Sequence, residues 1–357
     1  MAVKPRGRLS LVHVFRAVAV LFILMGHANK VSVLYLDYDW FNLARWDRTG
    51  GIDFFFIVSG FMIYYLYHSY LGKPQKAGTF LLKRAVKIYP MHWLFTMAVM
   101  AMILVFPQIG DGHETRADVI AGSLLLLPTD PILATTWSLS YVVFFYAAFA
   151  LLIVSPRLTA LLGAVWIGCT LLMETGLLAN PQSFLFNFSH LEILAGCLIA
   201  YLVLHYRLPY PRTMIVLGVT GFAAVWVNNV NHYVTLHTPY FFCAFAVLIM
   251  TGITVLDLQK ERKLPKPVTY LGNASYSIFI SQLPVLHVCF LLLTKSPLSG
   301  WLGSALTIWA AILMAAAGGC AVHALIEKPV TAWLTKKLVS RKTSPVHNPI
   351  QPEAKVV

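Results

Sequence analysis

Charge is what this sequence has least of. Only 11% of its 357 residues are charged and 58% are hydrophobic, where an ordinary soluble domain carries about 25% charged residues. A soluble fold of this size has too little interior to hide that apolar excess. The same scarcity excludes a disordered chain and a coiled coil, which need polar residues along their length. Cysteine is scarce too. The five present (Cys169, Cys197, Cys243, Cys289 and Cys320) all lie in apolar stretches without a CxxC or Cys/His pairing. Neither a disulfide scaffold nor a metal site is expected from them. The net charge of +13 sits in short clusters between apolar runs, which reads as membrane topology and leaves no nucleic-acid surface. No small-residue cleavage site follows the first apolar run, so that run is expected to remain as a span. What is left is an all-α polytopic membrane protein.

A spanning helix needs about 20 largely apolar residues. Ten stretches qualify, at approximately 11–29, 52–70, 88–106, 137–154, 158–175, 186–204, 213–228, 239–256, 274–294 and 303–326. The run 118–128 is too short and is closed by Pro128 and Pro131, so it is expected to lie on the surface or to re-enter. With both ends cytosolic, 21 of the 27 Lys and Arg fall in inside loops and five outside, a strong positive-inside bias. Residues 1–330 are expected to form one transmembrane domain. Residues 331–357 should make a basic, flexible cytosolic tail, and LIEKP a helix ending before Pro329.

Charged groups inside spans are expensive and usually functional. Arg16 and His27 are eleven residues apart, which places both on one face of a helix, about 16 Å apart along its axis. Arg16 then stands near the cytosolic end and His27 near the outer one. The bland alternative is an arginine snorkelling to headgroups and a histidine in the interface. Glu192, with His190, is the other intramembrane group. Outside, the loop YLDYDWFNLARWDR (35–48) mixes rings with acids, and Asp37, Asp39 and Trp40 are candidates for contacting a saccharide. Interfacial aromatics are equally ordinary anchors.

Further segments accompany the Arg16–His27 pair in VHVFRAVAVLFILMGHA. They are GGIDFFFIVSGFMI (50–63), LLKRAVKIYPMHW (81–93), TWSLSYVVFFY (136–146), LEILAGCLIA (191–200), LGNASYSIFI (271–280) and LIEKPV (325–330). In this order they resemble the membrane-bound acyltransferase-3 family over essentially the whole chain, and most of all its exopolysaccharide-decorating branch. The sequence departs from that pattern at Val142, where the branch carries a glutamate. Lys87 stands for the usual Arg, His92 for a Tyr and Gln282 for a frequent His.

The resemblance implies an O-acyltransferase of the bacterial inner membrane, carrying acetyl from cytosolic acetyl-CoA to a sugar hydroxyl of a surface polysaccharide or lipid-linked saccharide. Arg16, Arg84 and Lys87 would hold the CoA phosphates, with Tyr276 on the donor side and, like Glu327, bracing the bundle. His27 would act as general base or acyl carrier. Trp137, Ser138, Ser140, Glu192 and His190 would line the acceptor side, unless the serines only bond local backbone. The partners expected are membrane lipids, acyl-CoA and the saccharide. Two other readings remain open: an impaired relative, because of Val142, and a transporter or flippase, which usually shows the duplicated halves not visible here.

Overall fold

The computed structural model describes residues 9–46, 48–106, 110, 112–179, 183–260 and 262–339, with nothing stated for the side chains of 298 and 299. The expected far tail, 340–357, and Asp47 of the outer loop 35–48 lie outside them. The described residues contain helices and no strand. They are α1 (Ser10–Leu36), α2 (Gly51–Tyr67), α3 (Ala77–Val105), α4 (Ala117–Leu125), α5 (Trp137–Val154) and α6 (Pro156–Glu174). After these come α7 (Phe188–His205), α8 (Pro211–Asn231), α9 (Thr238–Gln259), α10 (Lys266–Lys295), α11 (Leu298–Val322) and α12 (Lys328–Leu334). Among the described residues ten helices are long and apolar enough to cross a membrane, as the ten apolar stretches lead one to expect.

α1 and α2 are the centre of the bundle. One core cluster joins them to α3, α5, α10 and α11, and a second joins them to α7, α8 and α9. α6 lies at the rim, with Thr170 its sole buried residue. In lipid, helices gain little from hydrophobicity alone and associate through close packing at small residues. The α2–α7 crossing shows this directly: a Cβ on Gly60 would lie 1.8 Å from the Ile193 carbonyl oxygen, and one on Gly196 would lie 1.9 Å from that of Ile57. α1 meets α10 the same way, where a Cβ on Gly272 would stand 2.3 Å from the His13 carbonyl oxygen.

Several boundaries differ from the sequence reading. α1 continues past residue 29 to Leu36, because the polar residues that mark an apparent end are internally bonded. Buried Asn29 accepts from the Trp40 N–H at 2.7 Å and donates to Asp39 at 2.8 Å, while Ser32 donates to the Tyr38 carbonyl at 3.0 Å. α3 begins before residue 88, with Lys83, Arg84 and Lys87 in its first turns. Helix does not stop before Pro329. A π-helical turn, His323–Glu327, leads into α12, where Pro329 occupies the first turn and needs no N–H partner, and helical structure runs on to Val339. The expected boundary at 330 therefore falls inside a helix. The segment 118–128 folds back against α3. The carbonyls ending α4 (Ser123, Leu124) and Leu125 accept from His92, Trp93 and Tyr89, in the middle of α3.

Candidate functional site

The described ends, at Leu9 and Val339, lie on the side of the bundle where α1 meets Arg262 and α3 carries Lys83, Arg84 and Lys87. At this basic side the fold gathers Arg16, Arg84, Lys87 and Tyr276 from three helices. Arg16 Nη2 donates to Ser275 Oγ at 3.0 Å, with Glu327 and Tyr146 within electrostatic reach. Arg84 donates to the Tyr67 hydroxyl at 2.7 Å and lies over that ring, also facing the partly buried Tyr146, and its Nε has no partner among the described residues. Lys87 pairs with Glu327 and sits 5.9 Å from the Tyr276 ring centroid. Tyr276 donates to the Ile88 carbonyl at 2.8 Å, bracing α10 against α3.

Glu327 is the hub of this cluster. Its carboxylate also accepts from Ser277 and pairs with His323 Nδ1 at 2.7 Å. The π turn brings His323 and Glu327 onto one face, and such turns recur at functional sites. Three fixed cations against one carboxylate leave the cluster positive, with guanidinium donors unspent. That donor set fits the phosphates of a CoA-type donor.

Along α1, the contacts His13–Gly272, Arg16–Ser275 and Tyr35–His287 set a parallel register with α10. Interpolating along it places His27 level with about residues 279 to 286 of α10, a stretch that contains Gln282. Gln282 is fully buried and neither end of its amide has a partner. His27 is half-buried, and among the described residues it makes no hydrogen bond and no ion pair. Among the described residues no carboxylate orients it.

Glu192 is not brought to His27. The α2–α7 crossing aims it at Asp53, and both carboxyls are fully buried. Arg48 Nη1 binds the other side of Asp53 at 3.0 Å. Asp53 was not singled out from the sequence. Its place in the first turn of α2, where a helix favours negative charge, was the available signal for a structural anchor.

The acceptor candidates divide. Asp37 is exposed. Asp39 is engaged by Asn29 and by the Ala44 N–H at 3.0 Å. Trp40 is corrected from a sugar-stacking ring to a core residue. It is 4% exposed and edge-on to Trp309 at 5.0 Å, while Phe41 is the exposed ring of that loop. Trp137 is partly exposed and packs edge-on to Phe56 and Tyr141. Ser138 donates to the Thr135 carbonyl three residues back, as the local-backbone alternative expects, whereas Ser140 donates to the Leu127 carbonyl thirteen residues away and ties α5 to the segment after α4. His190 bonds the Phe184 carbonyl at 3.0 Å inside a cage of Tyr141, Phe144, Trp166 and Phe184. Val142 is 2% exposed, in the core cluster shared with α1. No cluster of three or more potential metal ligands occurs among the described residues.

Comparison with known proteins adds two matches. The profile of the acyltransferase domain that defines the acyltransferase-3 family matches residues 11–323. The exopolysaccharide production protein ExoZ of Rhizobium meliloti (strain 1021) is 26% identical over 299 residues, covering 79% of this chain and 89% of that protein. No solved structure matches.

Proposed function

This chain belongs to the acyltransferase-3 family and is a membrane acyltransferase, and from that premise we propose that it carries an acetyl group from acetyl-CoA across the inner membrane of a bacterium to a hydroxyl of an exopolysaccharide. The observation that carries this reading is the stripe of α1 on which Arg16 joins the cationic cluster and His27 stands about 16 Å further along. The basic side is the cytosolic one, from the distribution of Lys and Arg. The resemblance to a protein named for exopolysaccharide production supports the acceptor class.

In this reading Arg16, Arg84 and Lys87 hold the donor's phosphates and the thioester arm extends along α1 towards His27. The neutral imidazole takes the proton of the attacking sugar hydroxyl as its oxygen adds to the thioester carbonyl. The imidazolium then returns that proton to the departing CoA thiolate. Removing a general base of this kind costs on the order of 10²- to 10⁴-fold. His27→Ala should lose transfer by that factor in purified, reconstituted protein while its melting transition stays near the parent's. A variant that acetylates glycan at the parent rate would overturn the assignment.

One observation favours a second reading, reduced turnover in an otherwise intact enzyme. His27 has no carboxylate partner among the described residues, and the position where the resembled branch carries glutamate holds a buried valine, Val142.

A further inference from the structure

Away from the Arg16–His27 stripe, α1 forms one wall of an apolar groove of about 450 Å³. Phe15 and Phe22 of α1, Phe54 of α2, Phe222 and Trp226 of α8 and Ile249 of α9 are among its lining residues. All of these belong to helices that can span the membrane, so the groove faces hydrocarbon. α8 packs along α9 and reaches α1 through ring contacts of Phe22 with Phe222 at 5.8 Å and Trp226 at 5.0 Å. The stretch from Phe15 to Phe22 rises about 11 Å, and Ala223, on the groove wall, is exposed.

The end of the groove away from the basic side is marked by polar groups. Trp226 donates its indole N–H to the Thr49 carbonyl at 3.1 Å, and Trp46 stands edge-on to Trp226 at 5.1 Å. Beside Trp46 is Arg45, which is exposed and makes no hydrogen bond or ion pair among the described residues. An aromatic pair at the interface with a free guanidinium just beyond it matches the polar boundary of a lipid, where rings sit at headgroup level and arginine binds phosphate.

The geometry points to a phospholipid site, in which one acyl chain fills the groove between α1 and α8 and the phosphodiester sits against Arg45. The chain supplies the packing that α8 lacks against α1. Lipid occupancy thereby fixes the helix that carries Arg16 and His27 from its opposite flank. The site stands apart from the acyl-transfer reading and does not depend on it.

The test uses the full chain reconstituted in vesicles containing phosphatidylglycerol with a photoreactive group midway along one acyl chain, with labelled peptides mapped by mass spectrometry. Labelling is expected to concentrate on Phe15–Phe22 and Val219–Val227 and to exceed that on the rim helix α6 severalfold. Ala223→Phe, which fills the groove from an exposed position, should remove this excess, and Val219→Phe provides a second filled groove should the first fail to fold. Arg45→Gln should weaken labelling while leaving its position unchanged. Labelling of α6 equal to that of the groove, or unchanged labelling in a folded filled-groove variant, would overturn the site. Displacement of the probe by an isoprenyl phosphate at concentrations where added phospholipid has no effect would overturn the phospholipid as its occupant.

Discussion

Gly196→Ala tests the packing that aims α7. A Cβ at residue 196 would lie 1.9 Å from the Ile57 carbonyl oxygen and 2.7 Å from the Phe61 amide nitrogen. A carbon–oxygen contact relaxes to about 3.3 Å, so α2 and α7 must part by about 1.4 Å. A gap of that size forfeits at least a quarter to a half of each dispersion contact across it. The neighbours Ile57, Phe61 and Ile193 are fully buried, so the loss is not recovered from lipid. The cost should approach the upper end of overpacking penalties, about 2–3 kcal/mol, or roughly 4–8 °C in the apparent melting temperature. The comparison variant is Gly163→Ala on α6, where nothing lies within 4 Å. It should melt unchanged or be stabilised by up to about 1 kcal/mol through helix propensity. Thermal unfolding of both proteins in the same detergent decides the matter. Equal melting temperatures for Gly196→Ala and the parent would refute the close-contact account of the crossing.

Three further outcomes are expected. Arg16→Lys keeps the charge but loses the planar fork; calorimetry should show weaker CoA binding with saccharide binding retained, and an unchanged CoA affinity would count against the donor role. Val142→Glu should raise acyl transfer by giving His27 a partner, with donor affinity little altered and stability lowered by about 1–3 kcal/mol for the buried polar group; a folded variant no more active than the parent refutes it. Asp37→Cys should react with an impermeant maleimide from outside intact cells and Gln75→Cys should not, and the reverse pattern would invert the membrane orientation.

The ten spans were legible because length and hydropathy suffice where every backbone group must bond within its own segment. Helix ends were less so. Asn29 and Ser32 look like the close of a span, yet both are buried because the following loop folds back onto them, a tertiary fact with no local signature. The pairing of Arg16 with His27 followed from helical periodicity alone, and the structure adds the cluster of Arg84, Lys87 and Tyr276 around Glu327. Glu192 could not be placed from sequence. Its partner was decided by which face of α7 meets α2 at Gly60, and that contact joins residues more than a hundred positions apart. Trp40 failed as a sugar platform for a related reason, since composition does not separate a ring that stacks on a ligand from one that stacks on Trp309.

The π turn at His323–Glu327 amounts to one residue more than an α-helix would need between α11 and α12. A single-residue deletion there would let the segment revert to ordinary helical winding while leaving α12 nearly in place, because the wide turn is what absorbs the extra residue. His323 and Glu327 would remain neighbours, three residues apart on one helix face, and the carboxylate would keep Lys87 and Ser277 within reach. The segment therefore tolerates the loss of one residue better than the loss of Glu327, the carboxylate that pairs with Lys87 of α3 and stands within electrostatic reach of Arg16 of α1.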